Sequence, residues 1–127
     1  MTSEITASFE IEAWDEHPFD EAVGVAKLTR ASVAKEYSGD IEGTSATEWL
    51  MAYHPDKSAA FVGLERIKGA IGGRRGSLVL QHVGTFEDGA AKATLTVVSG
   101  TDELKGATGS GELVADPGGR ITLRVDQ

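Results

Sequence analysis

Apolar and polar residues alternate with a period of two along most of this chain. Ile5, Ala7, Phe9, Ile11 and Ala13 alternate with Thr6, Ser8, Glu10 and Glu12, which sets one face on a core and one in water. Thr47, Trp49, Met51 and Tyr53 share a face, with Glu48, Leu50, Ala52 and His54 opposite. Phe61, Gly63, Glu65 and Ile67 then oppose Val62, Leu64, Arg66 and Lys68. Leu78, Leu80 and His82 alternate with Val79, Gln81 and Val83, and Ala91, Ala93, Leu95 and Val97 give a further strand. A glycine-weakened strand over 106–113 and a last one carrying Ile121, Leu123 and Val125 complete the pattern.

Turn signals fall between these runs: Ser38-Gly39-Asp40, His54-Pro55-Asp56-Lys57, Glu87-Asp88-Gly89 and Asp116-Pro117-Gly118-Gly119. The polar stretch over 15–21, broken by Pro18, reads as the loop that ends the first strand. Residues 23–37 read as a strand with a helix competing, since alanine and lysine favour helix but no capping box opens the segment. Gly43 marks a possible bend or bulge, and 69–76 a flexible joint or a bent strand. The count is about eight strands at hairpin spacing, so the expectation is an all-β, eight-stranded antiparallel up-and-down barrel, one domain over 1–127. A two-sheet sandwich is the runner-up. A barrel of eight strands is just wide enough to be filled by side chains or to hold one small ligand.

Composition narrows the function classes. The net charge of −8 disfavours nucleic acid and anionic membrane surfaces as partners. Cysteine is absent, which removes disulfides, thiolate catalysis and cysteine-held metal. No apolar run approaches a membrane span, and the N-terminal stretch has neither the basic nor the apolar region of a secretory signal, so a cytoplasmic protein is the expectation.

Glu65 is the sharpest candidate for chemistry, a carboxylate in an otherwise apolar strand. Pointing inward, it is a possible general acid or base; pointing outward, it pairs with Arg66 or a cross-strand lysine. The inward register is expected, because it leaves Arg66 and Lys68 in water. His82, also among apolar residues, could partner Glu65; a histidine bonded to backbone or at the barrel rim is the plainer reading and carries more weight. Tyr53 is the third candidate catalytic group. Trp49, Met51, Phe61, Leu80 and Trp14 are candidate ligand-binding walls, against the plainer reading of a core stripe. The cluster Asp15, Glu16, His17, Asp20 and Glu21 has no recognised metal spacing, and a solvated loop is the better reading. No metal or other cofactor is expected. The segments GGRRGS and GATGSG lack the order of phosphate or dinucleotide loops.

The segments YSGDIEGTS, LMAY, FVGLERIKGAIGGRRGSLVLQHVGTFEDG and GATGSGEL resemble an uncharacterised bacterial domain-of-unknown-function family of small barrels related to allene oxide cyclase. The resemblance runs from about Phe9 to Leu113. The family's central pattern falls on Gly63, Leu64, Glu65, Gly73, Arg74, Gln81 and His82. This chain departs from it after the sixth strand, where the family has a proline- and glycine-rich stretch and Ser99-Gly100-Thr101-Asp102 reads as a shortened or altered loop. The resemblance implies an eight-stranded barrel with an apolar interior, usually oligomeric. It suggests a cofactor-independent barrel around a small apolar or amphipathic molecule and, if it is an enzyme, an isomerase or cyclase. A non-catalytic binding or carrier protein is the alternative, and a filled structural barrel a third. A homodimer is expected, because apolar residues on both faces between Val62 and Val83 need a partner surface.

Overall fold

A computed structural model describes residues 2–116 and 118–127. Eight strands follow one another: β1 (Thr2–Asp20), β2 (Lys27–Gly39), β3 (Ile41–Tyr53), β4 (Ala59–Ile71), β5 (Arg74–Glu87), β6 (Ala90–Asp102), β7 (Thr108–Ala115) and β8 (Gly119–Asp126). Each pairs antiparallel with its neighbour in sequence, and β8 pairs with β1 to close the barrel. The expected architecture is the one found; the segment over 23–37 is strand from Lys27 onward and turn before it. The described residues contain no helix long and apolar enough to cross a membrane. Pro117, in the last expected turn, lies outside the described residues.

The inward rows carry the core. Ile5, Ala7 and Phe9 of β1 meet Tyr37 of β2, Ile41 and Trp49 of β3, Phe61 and Ile67 of β4, and Leu78 and Leu80 of β5. Glu65 faces in at 1% exposure, while Arg66, Lys68, Val62 and Leu64 face out. The expected register therefore holds. Two buried cations would have been the cost of the alternative.

Four local expectations need correction. The polar run over 15–21 is not a loop: β1 continues through it to Asp20, paired with β2 as far as Leu28. Pro18 is tolerated there because this stretch has no β8 neighbour, so its missing N–H faces an open edge. The alternation of β1 also breaks. A bulge between Ile11 and Ala13 shifts the phase by one, leaving Ile11 exposed and turning Trp14 and Glu16 to the side that Phe9 occupies. Ser99-Gly100-Thr101-Asp102 is the end of β6, beyond a register shift at Val79/Leu80, and not a loop. Gly43 marks no bulge, since β3 pairs β4 there without a register shift, Gly43 opposite Gly69; and 69–76 is no flexible joint, since β4 and β5 run into it and meet at a tight turn over Gly72 and Gly73.

Candidate functional site

Trp49 of β3, Gly63 of β4 and His82 of β5 stand in register across three strands. Only glycine fits in the middle. A Cβ on Gly63 would lie 2.1 Å from the Glu48 carbonyl oxygen and 2.7 Å from the Trp49 ring. The indole spans the gap that this leaves, and its Nε1–H donates to His82 Nδ1 at 3.2 Å. Indole nitrogen can only donate, so Nδ1 is the acceptor and His82 carries its proton on Nε2. That N–H donates to Glu65 Oε1 at 2.9 Å.

Glu65 is enclosed by donors. Tyr37 donates to Oε2 at 2.7 Å and Ser45 at 2.6 Å, while the Lys35 ammonium lies 3.3 Å from each carboxylate oxygen. The side chains of Lys35, Glu65 and His82 have no exposed surface. Lys35 also lies 4.5 Å over the Phe9 ring and 5.2 Å over that of Trp49. Burial alone would push the Glu65 carboxyl up; the Lys35 charge and the hydrogen bonds from His82 and Ser45 outweigh it and bring the carboxyl down to about 2. Burial pulls Lys35 below the usual lysine range, against the opposing pull of Glu65. Burial and the neighbouring carboxylate hold the Tyr37 phenol protonated, well above its ordinary range. The Thr47 hydroxyl, in register with Glu65, is buried with no hydrogen-bond partner among the described residues.

A second cluster lies toward the barrel end. Glu16 accepts from Trp14 Nε1 at 2.9 Å, Thr29 at 2.6 Å and Tyr53 at 2.7 Å. Partial burial raises its pKa, and these bonds more than offset that, so the net shift is downward. Burial and the Glu16 bond push the Tyr53 phenol up to about 12. The Met51 sulfur lies 3.7 Å from the same hydroxyl. Trp14, 43% exposed, meets Trp49 edge-on at 5.5 Å, and Trp49 packs on Phe61 at 4.9 Å.

Of the sequence candidates, the fold thus brings Glu65, His82 and Trp49 together, with Leu80 buried in register with Glu65. Tyr53 is not among them; it belongs with Glu16. Among the described residues no three His, Asp or Glu side chains converge as a metal site. Sequence reasoning missed Lys35, Tyr37 and Ser45, and it set Glu16 in a solvated loop. A signal for Lys35 was present: it stands in phase with Ala31, Val33 and Tyr37, a lone charge on the inward row of β2.

A family model described as "Protein of unknown function (DUF3224)" matches residues 5–126. The chain belongs to that family. Among curated proteins none matches it. A crystal structure of a DUF3224-family protein of unknown function from Shewanella oneidensis MR-1 is similar at 29% identity, covering 99% of this chain and 98% of that one, with a TM-score of 0.80.

Proposed function

We propose that this barrel is a non-catalytic binder or carrier of a small apolar or amphipathic molecule, received at the end where Trp14 is exposed. The observation that carries the proposal is the unbroken line of contact from Trp14 through Trp49 and His82 to the Glu65–Lys35 pair. It supports an aromatic seat, open to solvent above and anchored below by a fixed polar network. The proposal sets the seat at the barrel end and not deeper, since the side chains of Lys35, Glu65 and His82 are wholly buried.

A cofactor-free isomerase or cyclase is the second reading, resting on the likeness of the quoted segments to barrels related to allene oxide cyclase. In it the network would stabilise developing charge in a confined substrate. Binding is favoured over catalysis by the state of Glu65. A carboxylate near 2 has no proton to give at neutral pH, and its lone pairs are already engaged.

The proposal includes a homodimer. Leu50, Val62 and Val83 are register neighbours on the outer face and, with Phe19 and Leu28, border an apolar groove of about 380 Å3. A symmetric second copy is the commonest cover for such a face.

Both tryptophans of the chain lie in the site, so all indole emission reports on it. Titration with a series of linear alcohols is expected to give a saturable, one-to-one change in emission that Trp14→Ala weakens. Absence of saturable change in emission or heat across the series refutes the proposal. Recovery of a bound natural molecule chemically unchanged supports the carrier; conversion to an isomer establishes the enzyme.

A further inference from the structure

Beside the Trp14 seat, a groove of about 490 Å3 runs between the connection over 21–26 and the turn over 54–58. Lys27, His54 and Lys57 line it together with Val25, Pro55 and the ring of Tyr53, and no acidic side chain does. In a chain with 20 acidic and 12 basic residues, such a lining runs against the overall charge. Two neighbouring carboxylates have partners of their own. Glu16 accepts the Tyr53 hydroxyl and feels the Lys27 charge, and Asp56 accepts the amide and hydroxyl of Ser58 at 2.9 and 2.6 Å.

The two lysines are held differently. Lys27 Nζ lies 5.3 Å over the Tyr53 ring, across the Lys27–Tyr53 register pair, and Lys27 and Lys57 form no ion pair with a carboxylate among the described residues. Lys57 sits at φ 72°, in the left-handed region where glycine is unstrained and lysine is not. The turn fixes it there through Lys57 N–H to the His54 carbonyl at 2.9 Å and His54 N–H to the Ser58 carbonyl at 2.8 Å. A position whose backbone suits glycine thus presents an ammonium to the groove.

We infer that this groove binds the carboxylate end of the ligand, so that the molecule taken by the barrel is a small organic acid with an apolar body. The inference rests on the binding role proposed above and adds the ligand's charge. Lys27 and Lys57 meet the carboxylate, Tyr53 and Pro55 pack on the first carbons, and the apolar remainder reaches toward Trp14. Cations on an exposed rim contribute modestly, and two of them together give a preference of about tenfold.

The test compares octanoate with 1-octanol by calorimetry and tryptophan emission on the full-length chain. Octanoate is expected to bind about tenfold more tightly, with the margin shrinking in high salt because the cations are exposed. Lys27→Gln and Lys57→Gly are each expected to reduce the octanoate advantage and leave octanol affinity unchanged. Lys57→Gly relieves the turn's strain, so a folding defect cannot hide its result. Equal binding of acid and alcohol, or an acid preference unmoved by either variant, overturns the carboxylate site while the binding role stands. Saturable binding of neither probe overturns both.

Discussion

Lys35→Met removes one charge from the buried network and nearly nothing else. The thioether is unbranched and one atom shorter, so it fills most of the same volume while removing the ammonium that lies over the Phe9 and Trp49 rings. In the native protein the Glu65 carboxyl lies at about 2 against an ordinary 4.5. That displacement corresponds to roughly 3 kcal/mol of folding stability. Because the folded value is depressed, the contribution is complete above the ordinary 4.5 and is lost as pH falls through about 2. Without Lys35, the largest influence lowering the Glu65 carboxyl is gone and only the His82 and Ser45 interactions oppose burial, so the folded value is expected to rise. The stability gained from Glu65 above 4.5 then shrinks, and the pH profile flattens. At pH 7 the broken pair is expected to cost about 3–5 kcal/mol. Urea unfolding followed by tryptophan emission between pH 3 and 8 measures it, with the native protein and Lys35→Met/Glu65→Gln alongside. The double variant is expected to recover most of the loss, since no uncompensated charge remains. A loss below about 1 kcal/mol for Lys35→Met, with a pH profile parallel to the native one, would refute this account of Glu65.

Gly63→Ala is expected to cost about 1–3 kcal/mol, because its Cβ would meet the Glu48 carbonyl oxygen across the β3–β4 pair; an unchanged melting temperature would show that the strands can part freely. Nitrogen chemical shifts of His82 are expected to report the Nε2–H form, fixed by the Trp49 N–H, and the Nδ1–H form would contradict the hydrogen-bond order given above. Light scattering at micromolar concentration is expected to give the mass of a dimer, and Val62→Lys that of a monomer; a monomeric native protein would end the homodimer proposal.

The barrel was legible because period-two runs and hairpin turns are local signals, and they recur here at regular spacing. What escaped was local irregularity. One extra residue near Glu12 reverses the faces of the rest of β1, and alternation read forward from Ile5 has no way to register it. Ala13 was therefore set on the inward face with Ile5, Ala7 and Phe9. The run over 15–21 looked like a solvated loop for a related reason. Its Asp and Glu residues lie along a strand edge that β8 does not cover, where charge discourages pairing with other chains. Composition alone does not distinguish a charged edge from a loop.

The site divided along the same line. The inward direction of Glu65 followed from the cost of burying Arg66 and Lys68 in its place, a comparison contained within one strand. Its partners could not be found that way. Lys35, Tyr37 and Ser45 reach it from β2 and β3, 20 to 30 residues away in sequence, and only the register of three strands sets them around one carboxylate. Those partners also change what the residue can do. Considered alone, a buried glutamate is a raised carboxyl and a candidate proton donor; with an ammonium and three neutral donors around it, the same group stays ionised with its lone pairs occupied. The chemistry of this barrel is therefore decided less by Glu65 than by the residues that meet it, and Lys35 is the one whose charge does most to keep the carboxyl ionised against its burial.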